Sequence, residues 1–241
     1  MIRLNVDHPL SPGVLVPLPA EQGRYLTTVM RRSVGDAVLL FNGRDGEWKA
    51  EITEAGKRSC VLVALERTRE QGRPADLELI VALVKRTRLE TIIEKAAELG
   101  VGRVRLAVTR FTQADHTRVD RLAAIAIEAS EQTGRLDVPE IVSPAPLDQI
   151  LDSWPADRRL MFCDEGGEVR PALEALSEFP TGSVWSILIG PEGGFSTEER
   201  DRLRSLEFVT PVGLGPRILR ADTAAFAALS LWQAKLGDWR S

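Results

Sequence analysis

The chain has 241 residues, 44% hydrophobic and 27% charged, with 31 basic against 35 acidic side chains and a formal net charge of −4. That supplies one or two domains with real cores, excludes a disordered chain, and argues mildly against a protein whose main task is coating nucleic acid. No run reaches the ~18 apolar residues of a membrane span, MIRLNVDHPLSPG has no apolar signal core, and Cys60, Cys163, His8 and His116 are too few for a disulfide framework or a Cys/His zinc site. The expectation is a soluble, reduced, cytoplasmic protein with no membrane span and no metal.

In chain order, residues 24–32 read as a helix with Leu26, Val29 and Met30 on one face. Residues 37–41, 47–53 and 59–68 read as short strands, separated by the turn signals Asn42-Gly43, Asp45-Gly46 and Ala55-Gly56. The polar stretch 70–76, with Gly72 and Pro74, reads as a linker. This predicts a small β-rich domain over 1–72 and a second domain over 73–241.

Beyond the linker the rhythm alternates between strand and helix. Residues 77–84 form a near-continuous apolar run, as in a strand buried on both faces. Residues 88–99 carry Leu89, Ile92, Ile93, Ala96 and Leu99 on one helical stripe that ends at Gly100. A strand at 103–108 follows. Thr117-Arg118-Val119-Asp120 then has capping-box spacing and opens a helix with Leu122, Ile125, Ala126 and Ala129 inward. Strands are predicted at 140–143, 159–163, 184–189 and 208–212. Helices are predicted near Pro171, from the capping box Ser196-Thr197-Glu198-Glu199, and at Asp222-Thr223. The last has Ala225, Leu229, Trp232 and Leu236 on one stripe and stops at Gly237. Such alternation predicts an α/β domain built on a mainly parallel sheet.

Ligands bind beyond the carboxyl ends of strands in open parallel sheets. Three strand ends stand out: residues 162–167 (FCDEGG), 187–194 (ILIGPEGG) and 212–223 (VGLGPRILRADT). Glycine admits close backbone approach, and a following helix start offers free N–H groups. None is a familiar phosphate loop or nucleophile elbow. The P-loop lysine is missing after Gly194, no Gly-x-Gly-x-x-Gly follows a strand, and Gly194-Phe195-Ser196 leads to Glu198. Each loop alone reads as a tight strand-to-helix turn. Together they ask for more, since a turn does not need Arg217, Arg220 and Asp222 within six residues.

The segments LIGPEGGFSTEE, VGLGPRILRADTAA, IIEKAAELGV and EASEQTGR…VPEI closely resemble the ribosomal RNA small subunit methyltransferase E family, over essentially the whole chain. These are S-adenosylmethionine-dependent RNA methyltransferases of the knotted SPOUT class. The resemblance implies an α/β fold whose mainly parallel sheet, with helices on both faces, holds a trefoil knot in its C-terminal part. It also implies a PUA-like RNA-binding β-barrel in front. The backbone around Leu188, Ile189 and Gly190, together with Gly193, Leu214, Gly215, Ile218 and Leu219, is then expected to cradle S-adenosylmethionine, apolar residues flanking the adenine and glycine backbone bonding it. The implied reaction is methylation of uridine N3 in 16S rRNA, as free RNA or in the small ribosomal subunit, by a homodimer with part of each site at the subunit interface. Arg220 is the candidate cation for the developing anion, and Asp222 a candidate for orienting it or acting as base. Family members usually have Thr and Glu where this chain has Ala221 and Asp222.

Arginine carries most of the positive charge, the lysines being only Lys49, Lys57, Lys85, Lys95 and Lys235. Arg24, Arg31, Arg32, Lys85, Arg88 and Arg135 are candidate RNA contacts. Arg103, Arg105, Arg110, Arg118 and Arg121, set against Asp115 and Asp120, read either as an RNA groove or as a solvated surface. The segment EQTGR reads as a helix C-terminus with a structural or active-site role through the family match. His8 and His116 read as surface residues and Cys163 as a small buried hydrophobe. Three rival functions stay open: a ribose 2′-O-methyltransferase of the same class, a non-catalytic RNA-binding module, and a small-molecule enzyme with a phosphate-binding sheet.

Overall fold

Inward apolar residues at strand spacing build the first sheet. The structure, a computed structural model, describes residues 1–56, 59–74, 76–112, 117–166 and 169–240; the sequence assignments on Lys57, Ala75, Asp115, His116 and Gly167 lie outside them. Strands β1 (Arg3–Asn5), β2 (Leu15–Pro17), β3 (Ala37–Phe41), β4 (Glu47–Ala55) and β5 (Cys60–Arg69) pair in the order β1-β3-β4-β5-β2. The β1–β3 pair is parallel and the others antiparallel. Leu4, Val16, Val38, Leu40, Ala50, Ile52, Leu62 and Ala64 meet in one core, so the sheet curls around a single apolar interior.

Between β2 and β3 lie the short helix α1 (Ala20–Arg24) and a π-helical turn at Tyr25–Val29. The wider π turn breaks the three-residue spacing on which the sequence stripe relied. Leu26 is fully buried whereas Val29 is 64% exposed, so they do not share the predicted face.

The chain divides into two compact units, Met1–Arg73 with Ser130–Val138, and Pro74–Ala129 with Pro139–Ser241. Against the expected 1–72 and 73–241 the boundary moves by one residue and Ser130–Val138 joins the first unit, and Arg3 supplies the reason for the second difference. Its side chain donates to the carbonyls of Ser130 (3.0 Å), Glu131 (3.0 Å) and Arg135 (2.6 Å), while its Nε meets Glu47 at 2.8 Å. The Glu131 carboxylate in turn accepts from the Asn5 N–H at 2.9 Å. Carbonyls at a helix end have no partner within the helix, and here an arginine from the first strand satisfies them. The EQTGR segment is therefore a structural part of the first unit.

The second unit carries β6 (Leu77–Ala82), α2 (Arg86–Glu98), β7 (Arg103–Val108), α3 (Val119–Thr133, its last turn in the first unit), β8 (Glu140–Pro146) and α4 (Leu147–Asp152). It continues with β9 (Arg159–Cys163), α5 (Ala172–Leu176), β10 (Trp185–Ile189), α6 (Thr197–Ser205), β11 (Val209–Val212) and α7 (Ala221–Lys235). The sheet order is β11-β9-β10-β6-β7-β8, every pair parallel. Strand β6 is buried along its whole length. Its one charge, Glu78, is held by the Ser186 hydroxyl at 2.6 Å and by Arg105 at 3.0 Å, as a buried carboxylate requires. Strand β10 enters between β9 and β6, β11 continues to the edge beyond β9, and α7 returns from that edge to pack on α2, α5 and β10.

Both bonds of the predicted Ser196 capping box form. The Ser196 hydroxyl accepts from the Glu199 N–H (3.2 Å), and the Glu199 carboxylate accepts from the Ser196 N–H (2.9 Å). Such a cap stabilises a helix start by about 1 kcal/mol. At α3 the helix begins inside the predicted box, at Val119, and the Asp120 carboxylate meets Arg118 at 2.6 Å. On α7 the stripe Ala225, Leu229, Trp232 and Leu236 is 2% exposed or less, so it packs within its own subunit. Among the described residues no helix is long and apolar enough to cross a membrane.

Candidate functional site: a cleft at three strand ends

Strands β11, β9 and β10 are neighbours, and the loops at their carboxyl ends enclose a cleft of about 640 Å³. That is the size of a small-ligand or cofactor site. All three strand ends singled out in the sequence meet here. Cys163, Asp164 and Glu165 come from the first loop, Ile189, Gly190, Glu192 and Phe195 from the second, and 213–221 from the third.

Of the residues expected to hold a cofactor, Ile189, Gly190, Leu214, Gly215, Ile218 and Leu219 line the cleft. Leu188 does not. It is fully buried in the core beneath, clustered with Ile80 and Phe162, because consecutive strand residues face opposite sides. Gly193 lies outside the lining, its backbone packed on Phe111. Arg220 lines the cleft; Asp222 does not, and its carboxylate accepts from the Thr223 N–H at 3.0 Å in the first turn of α7.

Two glycines have separate reasons. A Cβ on Gly190 would sit 2.7 Å from the Phe195 ring, itself packed edge-on to Phe162 with centroids 5.2 Å apart. Gly215 has φ +102° with nothing within 4 Å of a Cβ. Backbone conformation alone calls for glycine there.

Charge is divided between anchoring and open groups. The Asp164 carboxylate, fully buried, accepts from Arg204 at 2.5 and 3.0 Å and from the Gly166 N–H at 2.9 Å, with Arg200 Nε 3.1 Å away. This ties the β9 loop to α6. Asp164→Ala should cost about 2 kcal/mol, below the range for a fully buried pair because the stranded arginines keep partial access to water. An unchanged urea midpoint would refute that anchor. Arg217 and Arg220 also line the cleft and, among the described residues, make no ion pair. Arg88, from the start of α2, reaches the same cleft and lies 3.9 Å from Glu192. Burial pushes the Cys163 thiol up to about 12, so it stays protonated at neutral pH and is no nucleophile.

The other cationic candidates are scattered. Lys85 is the exposed N-cap residue of α2. Arg24, Arg31 and Arg32 are exposed in the first unit, Arg24 beside a small cavity and Arg31 in the left-handed region at φ +52°. Arg135 is largely buried and paired with Asp137 at 2.9 Å. Arg103, Arg105, Arg118 and Arg121 pair with Glu140, Glu78, Asp120 and Glu90. That is the pattern of a solvated, mutually neutralised surface more than of a groove waiting for phosphate. The pairing pulls the Glu90 carboxyl down to about 2, through its bonds to Arg121 and Arg86. Sequence reasoning missed Phe195 and Val169 as lining residues; both are apolar and carry no local signal of a site.

Fold and cleft together define an α/β domain that takes a small ligand in strand-end loops, preceded in the chain by a small β-rich domain. The sequence matches the RNA methyltransferase domain over residues 71–233 and the RNA methyltransferase PUA domain over 18–65. It is 32% identical to the ribosomal RNA small subunit methyltransferase E of Rickettsia conorii over 229 residues, covering 95% of this chain and 93% of that protein. The Bacillus subtilis protein of the same name is 31% identical, with 88% of this chain and 87% of that one covered. The crystal structure of a ribosomal RNA small subunit methyltransferase E from Neisseria gonorrhoeae, bound to S-adenosyl methionine, superposes with a TM-score of 0.88 at 27% identity and 99% coverage of both chains. A Legionella pneumophila protein in complex with bound SAM gives 0.87 at 32% identity and 98% coverage of both. The chain belongs to the ribosomal RNA small subunit methyltransferase E family.

Proposed function

We propose that this chain transfers a methyl group from S-adenosylmethionine to N3 of a uridine in 16S rRNA, in the cytoplasm, acting on the free RNA or on the small ribosomal subunit. The observation that carries the reading is the strand-end cleft, where glycine backbone, apolar walls and two arginines with no ion pair among the described residues converge. The residues present fit the cofactor. Ile189, Leu214 and Leu219 can flank a purine, and the backbone around Gly190 and Gly215 is open to approach. When bound, S-adenosylmethionine supplies an electrophilic methyl group on a sulfonium. The chain's own work is to hold donor and acceptor in line.

Uridine N3 carries a proton at neutral pH, so the site must also favour its loss. Arg220 is assigned to stabilise the anionic base as it forms, because among the described residues no carboxylate pairs with its guanidinium. Asp222 stays the weaker candidate, to orient Arg220 or take the proton: it lies outside the cleft lining, and one of its carboxylate oxygens accepts from the Thr223 N–H. Lys85 and Arg88 in the second unit, and Arg24, Arg31 and Arg32 in the first, are proposed as phosphate contacts. Arg135 is left out of that set by its pairing with Asp137. The return of α7 from the edge strand supports the knotted path.

The deciding experiment is nucleoside analysis of small-subunit RNA from cells lacking this protein. Loss of 3-methyluridine is the expected result, and loss of a ribose methyl group instead would overturn the base specificity. A homodimer belongs to the same proposal on the family resemblance, without help from the buried Trp232 stripe. A fully active monomer at micromolar concentration in sedimentation equilibrium would refute it.

A further inference from the structure

We infer that Phe111 is a base-stacking residue that holds a nucleotide flanking the target uridine, just outside the methyl-donor cleft. The inference rests on the RNA methyltransferase reading above. Phe111 follows β7 at the carboxyl edge of the sheet and is 46% exposed. Single exposed apolar residues are ordinary on protein surfaces, but this one stands on a turn pinned at several points. The Thr109 N–H donates to the Thr112 hydroxyl at 2.9 Å, and the two hydroxyls lie 3.0 Å apart. The Thr112 N–H reaches the Thr109 carbonyl at 3.1 Å. The Arg110 N–H donates to Glu199 at 2.8 Å, the same carboxylate that closes the capping box of α6. The turn is thus fastened to the segment that continues from the cleft's second loop.

Gly193 completes the contact. A Cβ there would lie 3.1 Å from the Cβ of Phe111, tighter than ordinary van der Waals contact, so glycine lets the loop backbone press against the root of the aromatic side chain without displacing it. This gives Gly193 a role different from the one its sequence suggested. Its neighbours Glu192 and Gly194 line the cleft while Gly193 does not, so Phe111 stands against the same loop but outside the cavity. A ring standing outside the cavity is placed for a neighbouring nucleotide of the strand and not for the base being methylated. The chemistry around it suits RNA: Arg110 is exposed beside it, and Arg88 sits at the cleft across Glu192. Unstacked RNA bases are held in this way, an aromatic face below and cations on the phosphates.

Stacking on a flanking base serves ground state and transition state alike, so it should appear in KM and not in kcat. Methyl transfer from labelled S-adenosylmethionine to small ribosomal subunits from cells lacking the enzyme separates the two. Phe111→Ala and Phe111→Leu should raise KM for the subunits about ten-fold, with kcat and cofactor affinity nearly unchanged, and Phe111→Trp should restore it. A Leu variant equal to wild type would overturn the proposal, because an apolar contact would then suffice. So would dissociation of a dimer in the Ala variant, which would make a second copy the occupant. If wild type transfers no methyl group, the methyltransferase reading fails. Filter binding of the same subunits to wild type and the Leu variant then still decides whether Phe111 stacks RNA, equal affinities refuting it.

Discussion

Arg220→Ala is expected to lower the single-turnover methyl-transfer rate by a factor on the order of a hundred to a thousand, as for loss of one transition-state donor. Affinity for S-adenosylmethionine should barely change. The residue's backbone is the N-cap of α7, and its carbonyl accepts from the Ala224 N–H at 2.8 Å. Alanine keeps that bond, so α7 should start where it does now. The side chain takes part in no ion pair among the described residues, so its removal strands no buried carboxylate. What is lost is a cation facing the cleft, and it matters only when negative charge develops there. Arg220→Lys should recover part of the rate, since a point charge replaces a planar fork. Rates equal to wild type at saturating cofactor and RNA would remove Arg220 from the chemistry. A collapse of cofactor affinity in its place would make it a loop-holding residue.

Gly215→Val should abolish measurable S-adenosylmethionine binding in titration calorimetry while leaving the fold intact. At φ +102° an L-residue costs about 1–2 kcal/mol or more, and a β-branched one is the worst choice. The loop can relieve the strain only by leaving its present course, and that course forms the third wall of the cleft. Nothing lies within 4 Å of the added Cβ, so the core should not notice the change. Gly190→Val is the instructive contrast. There the side chain meets the Phe195 ring, and stability should fall together with binding. Unchanged cofactor affinity in a folded Gly215→Val protein would refute the assignment of this loop.

Local signals were legible where they depend on neighbours in the chain. The strands at Ala37–Phe41, Arg103–Val108 and Arg159–Cys163 coincide with their predicted limits, because β-branched and apolar runs bounded by turn residues need no distant partner to be recognised. The Ser196 box was equally readable, as both bonds join residues three apart. Strands β1 and β2 were missed because three residues each are too few for a period. The stripe at Leu26 and Val29 failed because the π turn changes the helical period without a sequence signature.

By itself, then, the sequence determined the alternating elements, the three loops able to approach a ligand, and, through contiguous motifs, the family. Only the tertiary structure decided that those loops meet, since strand order follows from which faces pack together over long range and not from periodicity. It also decided which charges remain open. The sequence singled out Arg217 and Arg220 by their place in the third loop, but nothing in it says whether they pair differently from Arg105 or Arg135, which find Glu78 and Asp137 once the chain is folded. A carboxylate cancels an arginine only when packing brings the two within a few ångströms, and that distance is a property of the fold.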